Sequence, residues 1–132
     1  MATTAAPRRP TLPPLPLVDV GREMLGLTFL LDSGLRGGCI AEFWTTQGAT
    51  ERSFRGDYAL SRGEGLLLRI ALNLDAGGPT ERPGDLHLLL NGVTGRALQA
   101  LIRLLQALDG GHAAKIEYCS RVLAEFAPLE AR

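Results

Sequence analysis

Residues 61–75 read SRGEGLLLRIALNLD, and this stretch decides the fold class. Ser61 and Glu64 stand ahead of an apolar run at the spacing of a capping box. The serine hydroxyl accepts one orphan amide of the helix start, and the glutamate reaches back to another. Leu66, Leu67, Leu68, Ile70, Ala71, Leu72 and Leu74 follow, and Gly77-Gly78-Pro79 stops the segment. Only a narrow stripe of the helical wheel, Arg62, Gly65, Arg69 and Asn73, is left for water. A helix apolar on nearly all sides is expected at the centre of its domain.

Toward the C-terminus the same signals recur. Pro83-Gly84-Asp85 opens a short helix that runs to Leu90 and ends at Asn91-Gly92. Thr94 caps the next, from Gly95 to Leu108, stopped by Gly110-Gly111. Its polar residues, Arg96, Gln99, Arg103 and Gln106, form one stripe, and the rest is Leu, Ile or Ala. Leu101 lies opposite that stripe and is expected to be fully enclosed. A last helix spans about residues 112–126, with Ile116, Cys119, Leu123 and Phe126 on one face and Glu117 and Arg121 paired on the other. Pro128 closes it.

Toward the N-terminus the pattern is mixed. In residues 18–33, Val20, Met24, Leu27 and Leu31 fit one helical face, yet Leu25, Leu27, Phe29 and Leu31 also alternate like a strand. Asp19 as N-cap and Gly34 as C-cap favour the helix. Ile40, Phe43 and Trp44 fit either a short helix or a strand, and residues 45–60 read as a loop or irregular hairpin. Residues 1–16, MATTAAPRRPTLPPLP, hold five of the eight prolines and are expected to be a disordered or polyproline-like tail. Leu12-Pro13-Pro14-Leu15-Pro16 resembles a ligand for proline-binding grooves, but Arg9 sits one residue out of register, so a solvated tail is the expectation. The domain organisation is therefore a tail over 1–16 and one mostly helical domain over 17–132. The fold class is predominantly α, with four to five packed helices and minor β structure allowed between residues 38 and 60.

Composition narrows the function classes. Lys+Arg and Asp+Glu are each 14, so the formal net charge is zero. That argues against a strong draw to nucleic acid or anionic lipid, and it leaves little repulsion between copies. No apolar stretch approaches the roughly 20 residues that span a bilayer. No signal-peptide pattern precedes the domain, so the cytoplasm is the expected address and Cys39 and Cys119 are expected as free thiols. All cations but Lys115 are arginine, and Arg, Ala, Gly, Leu and Pro are heavily used, a GC-rich imprint expected of a bacterial gene.

Four constellations compete. Residues 84–108 have the lengths and order of a helix-turn-helix, with Gly92 expected at positive φ in the turn and Val93, Leu98 and Leu101 buried. Arg96, Gln99, Arg103 and Gln106 would then reach base edges. Against it, Leu88 stands where the motif wants a small residue, His87 and Asn91 where it wants apolar ones, and flanking cations are missing. A thiol nucleophile at Cys39, with His87 or His112 as base and Asp57 or Asp85 orienting it, rests on residues far apart in sequence. Cys39, Cys119, His87 and His112 lack the close spacing of a zinc site, and no phosphate-binding glycine pattern follows a strand. No metal and no cofactor are expected. The fourth reading is an interaction protein, because two helices carry more apolar surface than so short a chain easily covers. The expectation is thus a small non-enzymatic regulatory or adaptor protein that binds another protein, as a homodimer. The alternative is a small helix-turn-helix DNA-binding regulator using residues 84–108. Arg96, Gln99, Arg103 and Gln106 are the candidate partner or DNA surface in either case.

Overall fold

The computed structural model describes residues 24–35, 40, 42–45, 48–55, 60–75 and 82–125. The tail over residues 1–16, the Asp19 cap, Cys39, Asp57, the Gly77–Pro79 stop, Phe126 and Pro128 lie outside the described residues. Within them the chain is predominantly helical, with six helices and one two-stranded hairpin. In chain order these are α1 (Leu25–Ser33), β1 (Trp44–Thr45), β2 (Gly48–Ala49), α2 (Glu51–Arg55), α3 (Arg62–Asp75), α4 (Asp85–Gly92), α5 (Gly95–Asp109) and α6 (Gly111–Ala124).

The capping box at the start of α3 forms as its sequence demands. The Ser61 amide donates to Glu64 Oε1 at 3.1 Å, and the Glu64 amide donates to Ser61 Oγ at 3.1 Å. The most enclosed element, however, is α1 rather than α3. Every α1 residue except Asp32 is buried, and α3, α5 and α6 all pack against it. A helix covered on all sides needs no polar face, so LGLTFLLDS shows no helical period and mimics a strand. The left-handed cap at Gly34 (φ 79°) ends it as expected, with the Gly34 amide donating to Leu31 O. At the other end the Gly26 amide donates to Asp75 Oδ2 at 2.7 Å, which joins the start of α1 to the end of α3. A Cβ on Gly26 would collide with the Trp44 ring and the Asp75 carboxylate, so only glycine fits there.

The segment between α1 and α3 carries the minor β structure. Ile40 and Phe43 are helical and buried, and Trp44 then enters β1, so each option held for part of the segment. Strands β1 and β2 pair antiparallel, Trp44 with Ala49 and Thr45 with Gly48. Ser53 Oγ donates to Phe43 O and ties α2 to the hairpin. A helix as short as α2 leaves no periodicity to read in a sequence.

Three local expectations need correction. The α3 stripe does not face water as a whole: Arg62 and Asn73 are exposed, but Gly65 and Arg69 are buried, because α4 packs over that side and pairs with Arg69. Gly92 is not at positive φ. It ends α4, and the break falls at Val93–Thr94, with the positive φ at Gly95 (59°). Leu101 is only partly buried at the core edge, while Leu98 is exposed. Helix α5 is turned by about a quarter turn from the expected setting, measured at about 100° per residue. It puts Ala100, Leu104 and Ala107 into the core instead.

Candidate functional site

The physical cause of that rotation is the arginine stripe itself. Arg103 donates from Nε to Asp32 Oδ2 at 2.9 Å and from Nη2 to Asp32 Oδ1 at 2.8 Å, a bidentate pair. Arg96 donates from Nε to Asp32 O at 2.9 Å and from Nη2 to Leu31 O at 3.3 Å. Both arginines thus serve the C-terminal end of α1, whose last carbonyls lack intrahelical donors and whose dipole disfavours the Asp32 charge. Tyr118 of α6 completes the cluster, its hydroxyl donating to Asp32 Oδ2 at 3.2 Å. Burial, with the Asp32 charge beside it, pushes the Tyr118 hydroxyl well above its usual range, so it stays protonated and keeps donating. The hydrogen bond to Asp32 raises Arg103 further.

Around this cluster lies an open groove of about 510 Å³, lined by Asp32, Arg96, Gln99, Arg103, Arg121, Val122 and Glu125. Three of the four stripe residues therefore share one groove, and Gln106 lies exposed outside its lining. Gln99 is exposed as well. Asp32 and Tyr118 were not among the sequence candidates. Asp32 lies 71 residues from Arg103, so spacing could not join them. The available signal was an acid at the C-terminal end of an apolar helix, a position that calls for a cation nearby.

A second bidentate pair holds α4 to α3. Arg69 donates from Nε to Asp85 Oδ2 at 2.8 Å and from Nη2 to Asp85 Oδ1 at 2.6 Å, and the Arg82 amide also donates to Oδ2. The Arg69 hydrogen bonds hold the Asp85 carboxyl below its usual range, against the opposing effect of burial. This pair lines a smaller groove of about 200 Å³ with Arg62, Arg82 and Leu60.

Of the thiol constellation, Cys39 and Asp57 lie outside the described residues. Asp85 is engaged by Arg69, and His87 is exposed and contacts Asn91 on its own helix. His112 is exposed at the start of α6, and Cys119 is a fully buried core residue. Among the described residues no three His, Cys, Asp or Glu side chains are placed to hold a metal ion. No helix among them is long and apolar enough to cross a membrane.

The remaining feature is apolar. Leu98, Ile102, Leu105 and Leu108 of α5 are 36–55% exposed, whereas its core-facing side is largely alanine. On α4, Leu86 and Leu90 are 67% and 73% exposed, and no α4 residue is buried. Compared with protein-family models, curated proteins and solved structures, the chain matches none.

Proposed function

We propose that this chain is a non-enzymatic regulatory or adaptor protein that acts by binding protein through the outward face of α5. The observation that carries the reading is the facing of that helix: it puts Ala100, Leu104 and Ala107 into the core and leaves Leu98, Ile102, Leu105 and Leu108 facing water. Exposing a leucine forfeits about 2 kcal/mol of burial. A helix that buries one leucine and two alanines while four large apolar side chains face water is suited to a second contact outside its own core. Leu86 and Leu90 extend the same chemistry to α4. The two polar clusters do not suggest catalysis, since Asp32, Arg103, Asp85 and Arg69 are all engaged with one another.

The test is affinity capture from the native host, comparing the wild type with Leu105→Arg, a substitution at a half-exposed position. Both proteins should show the same helical circular dichroism. The wild type should hold a saturable set of host proteins, native copies of the chain included, and the variant should release them. Equal capture by both, or no saturable capture by the wild type, overturns the reading.

A further inference from the structure

The outward face of α5 has a pattern of its own. Leu98, Ile102, Leu105 and Asp109 recur at spacings of four, three and four, the seam of a paired helix. Reversed about its centre near Ile102, the seam puts Leu98 and Leu105 in each other's place. An isologous contact requires this self-complementarity, since each copy supplies the same patch. We infer that the occupant of the α5 face is a second copy of this chain, laid antiparallel about a two-fold axis near Ile102. The inference rests on reading that face as the contact surface.

Three further observations favour this occupant and this orientation. Antiparallel pairing brings Leu98 of one copy to Leu105 of the other, since both lie on the same side of the seam. It also places exposed Asp109 beside the N-terminal end of the other α5, where the dipole is positive and Thr94 makes no side-chain cap. A parallel pair would instead set Asp109 against Asp109. Finally, a chain of zero net charge brings no overall repulsion to the encounter.

Area sets the strength. The four exposed side chains leave on the order of 300 Å² of apolar surface per copy, against roughly 800 Å² of total surface per partner in a standard interface. With Gln99 and Gln106 as polar rim, the contact falls at the small end of specific interfaces. The dimer is therefore reversible and concentration-dependent rather than obligate. The exposed Leu86 and Leu90 belong to α4 and are not part of this seam.

Sedimentation over a dilution series tests the association. The expected mass moves from 14.1 kDa toward twice that value through the micromolar range, and Ile102→Glu weakens the association at least tenfold with the helical signal kept. Oxidative cross-linking tests the orientation, with the unsubstituted chain setting the background of Cys39 and Cys119. Ile102→Cys should give a covalent dimer. Leu98→Cys should stay near background, because its two copies lie about 10 Å or more apart along antiparallel axes. Equally fast cross-linking of Leu98→Cys overturns the antiparallel arrangement. A wild type that stays monomeric throughout overturns the inference. If Leu105→Arg still releases captured host proteins in that case, the face belongs to a different protein and the proposed function stands without the second copy.

Discussion

Asp85 and Asp32 are each gripped by an arginine through two hydrogen bonds, and their positions differ in one respect. Asp85 opens α4, where the helix dipole welcomes a negative charge, while Asp32 ends α1, where it does not. Asp32 accordingly collects a tyrosine in addition to Arg103, and Arg96 takes up the neighbouring carbonyls. Asp85 offers the cleaner test because its carboxyl sits below the ordinary value of 3.8 in the folded chain. A depressed folded pKa stabilises the native state above the unfolded value, and that stabilisation is lost as pH falls through the folded one. Asp85→Asn is therefore expected to cost about 2 kcal/mol near neutral pH, since Arg69 is left buried with a weaker partner. The difference from wild type should shrink in acid, as the wild-type carboxylate is itself protonated. Urea unfolding of both proteins across the pH range checks this, and a difference that stays constant into strong acid would sink it.

Helix α5 shows how an element's rotation is decided by a contact its sequence does not announce. Its boundaries were readable from the positions of Thr94 and Gly110, although Thr94 makes no side-chain cap bond. Its facing was not, because a wheel that is apolar over most of its circumference fits several rotations about equally well, and the Arg103–Asp32 pair chooses among them. The consequence is a contrast within one helix. Leu104 is buried, so Leu104→Ala is expected to cost about 3 kcal/mol through lost transfer energy and a residual cavity. Leu105→Ala, at a half-exposed position, is expected to cost less than about 1 kcal/mol. Leu101→Ala, at the core edge, should fall between them rather than being severe. Chemical denaturation of the three variants at low concentration checks the order, and an equal loss at Leu104 and Leu105 would return the helix to its sequence-based setting. Legibility elsewhere follows the same rule. The Ser61–Glu64 box and the Gly34 cap were legible because they are short-range, as was the helical class of residues 62–75 and 85–124. Total burial hid the period of α1, and α2 is too short to have one. The Asp32–Arg103–Tyr118 cluster was invisible because it joins three helices.

At the scale of the whole molecule, the question is what the arginines are free to do. The chain carries as many acids as bases, and Arg69, Arg96 and Arg103 are already engaged within the fold. A DNA reader needs its cations at the surface, since neutralised phosphates supply most of the affinity and all of its steep salt dependence. The α4–α5 pair also departs from a recognition geometry, with Gly92 helical and Leu98 exposed. Replacing Arg96 and Arg103 together by Ala would be a poor probe of DNA binding. It leaves Asp32 without its cation and is expected to lower stability by about 2 kcal/mol or more, whatever the protein binds. Gln99 and Gln106 are the better pair, because both are exposed and Gln99→Ala/Gln106→Ala should leave the thermal melt unchanged. At physiological salt the wild type is expected to give no sequence-selective shift of duplex DNA, so the double glutamine variant should behave identically. A wild-type shift that weakens steeply with added salt, and that the glutamine variant loses without unfolding, would transfer the candidate surface from protein to nucleic acid. The stripe would then have to read bases with Gln99 and Gln106 while cations outside the Asp32 cluster, such as Arg121, Arg62 and Arg82, hold the phosphates.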